Sequence, residues 1–147
     1  GFVIGDAVRT MTSAEQVAKL ATGIVNQGSP WYTGDSPWGG PIACPSLAVW
    51  LLIGLAYGPD LNYLPMVSPT LSETAAMYGA AEIAFVNGPI LLDTPYRVRG
   101  AVVGVGESPK TEYLWWDATA TDEDDREVAR VRHLFRIIKA DSPLYRN

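Results

Sequence analysis

The chain has 147 residues, of which 48% are hydrophobic and 18% are charged, and its formal net charge is −5. This length predicts a single domain over residues 1–147 with a sizeable core, and the composition excludes wholesale disorder. The acidic balance argues against nucleic acid as the main partner, because phosphate binding requires a surplus of cationic side chains.

The N-terminal part predicts a strand followed by a helix. Residues 1–10 are a short apolar stretch, and Thr12 and Glu15 then stand at the spacing of a capping box. The apolar positions that follow at helical spacing are Val17, Leu20, Ala21 and Ile24. This pattern predicts a short amphipathic helix that ends near Gly28.

The most hydrophobic stretch, residues 46–57, predicts a second helix that is buried. It is shorter than the roughly 20 residues that a membrane span needs, so no membrane partner is expected. Ser46 is predicted to cap this helix, and Gly58-Pro59 is predicted to end it. Because the stretch is apolar almost all round, other structure has to wrap it.

The remainder of the chain changes to a strand pattern after an irregular crossover at 59–79. The strand-like segments, rich in Val, Ile and aromatic residues, are 80–86, 94–108, 111–120 and 126–139. The acidic turn at 121–125 is predicted to be a solvated hairpin tip rather than a cation site. We predict an α+β fold in which a curved antiparallel sheet wraps around a central apolar helix.

The chain contains one cysteine, Cys44, and one histidine, His133. An internal disulfide is therefore impossible, and nothing indicates an oxidising compartment. One residue of each type also argues against a zinc site and against a Cys–His nucleophile, and His133 is predicted to lie in the core or on a sheet face. We predict a cytoplasmic protein without metal or cofactor.

The segment between the two helices, residues 26–46, contains four prolines, four glycines and two tryptophans. Ordering such a segment costs much conformational entropy, so it is either a structural plug or a site. It resembles the MaoC-like branch of hot-dog proteins, closest to the N-terminal halves of two-domain dehydratases. The resemblance rests on Pro30-Trp31-Tyr32, on Gly39-Gly40-Pro41-Ile42-Ala43 and on Pro45-Ser46, and with Gly5-Asp6 and the late strands it covers nearly the whole chain.

The resemblance implies a hot-dog fold and a function related to (R)-specific enoyl-thioester hydratases and dehydratases. In active members of that family an Asp and a His on this loop activate water at a dimer interface, and a backbone N–H at the start of the central helix stabilises the enolate. In this chain Gln27 falls at the Asp position and Tyr32 at the His position. Cys44-Pro45 replaces the usual His-Gly, and proline has no N–H to donate.

Tyr32 and Asp35 are the candidate catalytic residues, although a turn hydrogen bond is the alternative role of Asp35. The candidate substrate-binding residues are Gln27, Trp31, Trp38, Gly40, Cys44, Ser46 and Trp50. The tryptophans could equally belong to the core, and Ser46 could be a cap only. A further set of residues, Arg97, Arg99, Arg130 and Arg132, could either meet the phosphates of coenzyme A or form a solvated sheet face.

Two functional hypotheses follow. The first is a hydratase- or dehydratase-related protein that binds an enoyl-thioester or polyketide-type substrate and transfers protons at a divergent site. The alternative is a non-catalytic hot-dog subunit that completes the active-site tunnel of a catalytic partner. Both predict a homodimer or a heteromer with another hot-dog subunit. A thioesterase is not supported, because the central helix carries no carboxylate.

Overall fold

Five strands and two α-helices make up the part of the chain that the computed structural model describes, residues 2–22, 29–55 and 76–139. In chain order they are β1 (Phe2–Thr10), α1 (Ser13–Ala21), α2 (Pro45–Ile53), β2 (Ala76–Phe85), β3 (Pro95–Glu107), β4 (Thr111–Thr121) and β5 (Glu127–Ile138). A single 3-10 turn, Pro30–Tyr32, lies between the two helices. The predicted order of elements is confirmed within these ranges.

The strands form one antiparallel sheet in the order β1-β3-β4-β5-β2. Of the four predicted late strands, β3, β4 and β5 form a meander, whereas β2 pairs with β5 at the edge and not with β3. β2 begins at Ala76 rather than at residue 80, because a bulge lets the strand continue across a glycine. A Cβ at Gly79 would collide with the side chain of Leu134, so a larger residue at this bulge would have to displace Leu134.

The core lies between α2 and the inner face of the sheet, where α2 contacts β4 and β5. Leu51 and Leu52 of the helix are fully buried, as are Val98 and Trp116 of the sheet. The predicted alternation along β3 is confirmed, since Val98 points inward and its neighbours Arg97 and Arg99 point to solvent.

Helix α1 begins as predicted, with a complete capping box between Thr12 and Glu15. Its predicted apolar face is wrong in part, because Val17 is 62% exposed and Gln16 is buried instead. The helix is rotated toward Gln16 because that side chain bonds three backbone groups in the interior. Helix α1 ends at Ala21, while the predicted end near Gly28 and the apolar Ile24 lie outside the described residues.

Helix α2 differs from its prediction at both ends. It begins at Pro45 with Cys44 as the N-cap residue, so Ser46 lies within the first turn and is not the cap. Proline suits the first helical position because its missing N–H would have no partner there. The helix ends at Ile53 with Gly54 as its C-cap residue, and not at residue 57, while the predicted stop at Gly58-Pro59 lies outside the described residues. A Cβ at Gly54 would collide with the guanidinium of Arg9.

Residues 2–22, 29–55 and 76–139 bring together no group of three or more His, Cys, Asp or Glu side chains that could hold a metal ion. Within the same residues, no helix has the length and hydropathy to cross a membrane.

Candidate functional site

Residues 29–44, called the entrance loop below, lead from the side of α1 to the start of α2. A backbone hydrogen bond from Ile42 N to Trp31 O, 2.8 Å long, closes the loop on itself. Two more hydrogen bonds join it to a neighbouring segment, from Ala43 N to Ile90 O at 2.8 Å and from Leu92 N to Pro41 O at 2.9 Å. The glycine- and proline-rich loop is thus held by its own backbone and by the chain that follows β2.

The side chain of Gln16 fixes the base of the entrance loop from inside the protein. Its Nε2 donates to the carbonyl oxygens of Tyr32 at 2.5 Å and Ile42 at 2.8 Å, and its Oε1 accepts from the N–H of Cys44 at 2.7 Å. Gln16 is only 1% exposed, and a buried amide is stable because all its partners are supplied. Sequence analysis missed this residue; its one signal is the spacing of four residues to Leu20, which places both on one face of α1.

The start of α2 has a single backbone amide left for a ligand. The N–H of Cys44 is bound by Gln16, and Pro45 has none. The backbone N–H groups of Leu47 and Ala48 both donate to Cys44 O at 2.9 Å. Ser46 N–H is the remaining donor of this turn, with no acceptor among the residues that the structure describes.

The side chains around this amide are small. Cys44 is fully buried, and its Sγ lies 3.5 Å from the Oγ of the half-buried Ser46. The structure therefore places these two predicted binding residues together at the helix entrance.

Tyr32 and Asp35 lie on the entrance loop, but the structure does not join them into a pair. Tyr32 is half-buried and packs against the edge of the core, whereas Asp35 is exposed. No hydrogen bond links the two side chains within the described part of the chain. The side-chain hydrogen bonds of this turn are made by Ser36 and not by Asp35. The Ser36 hydroxyl donates to Gly40 O at 2.5 Å and accepts from Trp38 N at 3.2 Å.

The predicted binding tryptophans separate into a pair and a single residue. Trp31 and Trp38 contact each other edge to face, with ring centroids 5.5 Å apart, and both are largely exposed. Trp50 is 36% exposed on α2 and is not part of this pair. Gly40 is half-buried and a Cβ there would meet open space, while Gln27 lies outside the described residues.

His133 lies in the core, on the inner face of β5. This position is one of the two alternatives that the sequence analysis predicted. Its Nδ1 accepts a hydrogen bond of 2.9 Å from the indole N–H of Trp116, so the neutral ring carries its proton on Nε2. That Nε2 is buried and has no hydrogen-bond partner among the described residues. Burial lowers the pKa of His133 to about 4, so the ring is neutral at physiological pH.

The arginines that could have met phosphates form ion pairs on the outer face of the sheet. Arg97 bonds both oxygens of Asp6 at 2.8 Å, and this contact holds the pKa of Asp6 below its usual value. The other pairs are Arg99 with Asp6, Arg132 with Asp117 and Arg130 with Glu127. Because the carboxylates neutralise most of this charge, the arrangement favours the solvated sheet face over a coenzyme A phosphate site.

Chemically, the helix entrance can donate a hydrogen bond to a ligand oxygen, and α2 adds the positive end of its dipole there. The described residues of the entrance loop supply no histidine, and their one carboxylate, Asp35, points to solvent. The arrangement is suited to binding an oxygen and lacks a positioned acid–base pair.

No protein-family model matches this sequence, and no curated protein matches it either. Solved structures do match. A MaoC-like dehydratase from Rhodospirillum rubrum is 14% identical with a TM-score of 0.60, over 91% of this chain and 89% of that one. An (R)-hydratase from A. caviae involved in PHA biosynthesis is 12% identical with a TM-score of 0.60, over 89% and 91%. The ChsH1–ChsH2 complex from Mycobacterium tuberculosis is 15% identical with a TM-score of 0.63, over 90% and 84%.

At these identities the likeness establishes the fold. The chain has the predicted hot-dog fold, with one antiparallel sheet packed on the apolar helix α2. Its structural neighbours are MaoC-like dehydratases and hydratases, which is the group that the entrance loop resembles.

Proposed function

We propose that this chain is a hydratase- or dehydratase-related hot-dog subunit that binds an enoyl-thioester or polyketide-type ligand. It leaves the acid–base step to a second hot-dog subunit. The observation that carries the proposal is the start of α2, where among the described residues Ser46 N–H has no acceptor and no acid–base pair stands beside it.

The Ser46 amide is suited to hold the carbonyl oxygen of a thioester. It lies in the first turn of α2, where the helix dipole favours negative charge on a ligand oxygen. Gln16 fixes two residues of the entrance loop before this amide, Cys44 through its N–H and Tyr32 through its carbonyl oxygen. A donor held in this way needs no rearrangement when an enolate oxygen forms, which is the condition for electrostatic stabilisation.

Among the described residues, the base that would activate water is missing. A general base needs hydrogen-bond reach to its substrate and is usually oriented by a second group. Tyr32 and Asp35 are not oriented toward each other by a hydrogen bond, and His133 is enclosed in the core. A partner subunit that brings its own base to the tunnel would complete such a site.

A heteromeric arrangement is supported by one of the structural neighbours, which is a complex of two different chains, ChsH1 and ChsH2. In the described sheet β1 and β2 are the edge strands, and β2 carries Met77 and Phe85, each 45% exposed. Exposed strand edges of this kind are commonly covered by another chain. We place the assembly in the cytoplasm, as the absence of a disulfide framework predicts.

The test compares ligand binding with turnover in the purified chain. Hydration is measured with short, medium and ring-bearing enoyl-CoA thioesters, and binding is measured calorimetrically with saturated acyl-CoA thioesters of the same lengths. We expect binding without turnover. Turnover by the chain alone would contradict the division of labour, and failure of every thioester to bind would contradict the ligand class.

Substitutions at Ser46 test the binding mode. Ser46→Asp keeps the backbone N–H, and a carboxylate in the first turn also stabilises the helix. The carboxylate would repel the ligand oxygen, so the affinity for acyl-CoA thioesters should fall roughly tenfold. Ser46→Ala is the matched control, because it removes only the hydroxyl and keeps the N–H. Equal affinities of the two variants would show that the thioester does not bind at this amide.

A divergent enzyme is the second candidate, because Tyr32 and the exposed Asp35 are both on the rigid entrance loop. It requires turnover by the chain alone that Tyr32→Phe or Asp35→Asn reduces without unfolding the protein. Turnover that survives both substitutions would exclude this pair as the catalytic residues.

A further inference from the structure

A cleft of about 330 Å³ lies between the entrance loop, the segment that follows β2 and the hairpin that joins β4 to β5. Trp38 and Tyr96 contribute to its walls, and Glu123 and Asp124 lie on its rim. Its volume falls within the range of small-molecule sites. None of the residues at the start of α2 lines this cleft, so it is a second site.

The rim of the cleft carries a net negative charge. Arg126 bonds Asp122 through two nitrogens at 2.8 and 3.0 Å, so the positive and the negative charge of this pair cancel. Burial acts to raise the pKa of Asp122, but hydrogen bonds from Arg126 outweigh it and keep the group ionised. Glu123 and Asp124 have exposed side chains and no ion pair within the described ranges, so two negative charges face the cleft uncompensated.

Trp38 forms part of the cleft wall and is held in place before any ligand arrives. It is 47% exposed, its backbone N–H is bound by Ser36 Oγ, and its ring and that of Trp31 contact each other in an edge-to-face arrangement. The ring lies against the backbone at Gly88, whose φ of +103° favours glycine. The exposed indole is thus positioned for a ligand at little entropic cost.

A buried hydroxyl supplies a donor on the same cleft. Tyr96 is 4% exposed, and its oxygen accepts a hydrogen bond of 3.0 Å from Leu91 N–H. Burial raises the pKa of Tyr96, so the phenol stays protonated. Its own proton has no acceptor among residues 2–22, 29–55 and 76–139, and a ligand oxygen in the cleft would provide one.

We propose that this cleft binds a small organic cation, with an ammonium or guanidinium group and a nearby oxygen acceptor. The cation would lie on the face of Trp38, since an indole is the best aromatic partner for a cation. Glu123 and Asp124 add charge complementarity, and Tyr96 binds the oxygen. The same charges repel phosphate, so this ligand is distinct from a coenzyme A thioester, and the proposal does not depend on the function of the α2 site.

Choline is the probe, because it combines a quaternary ammonium group with a hydroxyl. Its matched control is the uncharged isostere in which a tert-butyl group replaces the trimethylammonium group. Titrations at constant ionic strength are followed by nuclear magnetic resonance, through the indole N–H signals of the five tryptophans. Choline should shift the Trp38 signal saturably, with a dissociation constant that is roughly millimolar, and the isostere should not.

Two variants assign the binding to the cleft, and two others control for charge and for loss of an indole. Trp38→Leu, followed through the indole N–H signal of the neighbouring Trp31, should weaken choline binding about tenfold, and the double variant E123Q/D124N about fivefold. Trp115→Leu removes an indole from the outer face, and E82Q/E112Q removes two carboxylates that do not line the cleft. Neither control should change the dissociation constant.

Three results would overturn the proposal. They are the absence of a saturable shift with choline, an equal response to the uncharged isostere, and an equal loss of binding in the control variants. Because the indole N–H signals report binding directly, none of these outcomes depends on thioester binding or turnover.

Discussion

Polar side chains occur in two regions of this molecule, the interior and the outer face of the sheet, and the two regions use them differently. In the interior, Gln16 bonds three backbone groups and His133 bonds one indole, and both are almost fully buried. On the outer face, arginines such as Arg132 bond exposed carboxylates, and water can take the place of either partner. Interior polar groups therefore fix positions, whereas the outer pairs mainly keep the surface soluble.

The largest effect is expected at Gln16. Gln16→Leu has a similar volume but leaves two carbonyls and the Cys44 N–H without partners in the interior. Each unsatisfied buried group costs about 1–3 kcal/mol, so the free energy of unfolding should fall by about 4 kcal/mol. Urea denaturation of the purified chain measures this loss.

Val17→Leu is the matched control for Gln16→Leu, because Val17 is the next residue of α1 and is 62% exposed. It should change the free energy of unfolding by less than about 0.5 kcal/mol. If Gln16→Leu were as mild as Val17→Leu, the base of the entrance loop would not depend on Gln16.

The second effect is a dependence of stability on pH that comes from His133. Its pKa is lowered to about 4 in the folded chain and is ordinary in the unfolded chain, so the unfolded state binds more protons as the pH falls. Stability is present above the unfolded pKa and is lost through the window from about 6.5 down to about 4, by about 3 kcal/mol. Urea titrations across this window measure the loss.

His133→Asn is the control for this pH dependence, because its Oδ1 can accept the Trp116 N–H in place of Nδ1 and does not titrate. The loss of stability between the two pKa values should vanish in this variant. If the variant kept the same pH dependence as the parent, other groups would cause it. The carboxylates held at lowered pKa by arginines, such as Asp6, act below this window.

Most of the fold could be predicted from the periodicity of strands and helices in the sequence. The alternation along β3 predicted correctly which of Val98, Arg97 and Arg99 point inward, and the Thr12–Glu15 spacing predicted the start of α1. The bounds of α2 were wrong at both ends, because Pro45 occupies the first helical position and Gly54 the C-cap, where a Cβ would collide with Arg9. Hydrophobic pattern alone carries no information on such contacts between distant residues.

The site was harder to predict than the fold for the same reason. The entrance loop could be located by composition, but Gln16, which bonds its backbone, lies in α1. The apolar pattern predicted that Val17 would face the interior there, whereas Gln16 does so. The pairing of Trp31 with Trp38 follows from a loop conformation that no periodicity describes. Residues that act through long-range backbone contacts leave little trace in local sequence.

The smallest effect is expected on the outer face, at Asp117, which bonds Arg132 through two contacts of 2.7 and 2.8 Å. Arg132 holds the pKa of Asp117 below its usual value, so the pair stabilises the fold above that pKa and loses this effect as the pH falls through it. Because water reaches both side chains, Asp117→Asn should leave the urea midpoint unchanged within error, at low salt and at about 1 M salt alike.

The same variant also decides the role of the outer arginines, since it frees Arg132 to bind an anion. If these arginines met coenzyme A phosphates, Asp117→Asn would strengthen acyl-CoA binding, and salt would weaken the gain. We expect no gain, because the pairs form a solvated face. A clear gain, or a large loss of stability, would mean that the outer face resembles the interior in how it uses its polar side chains.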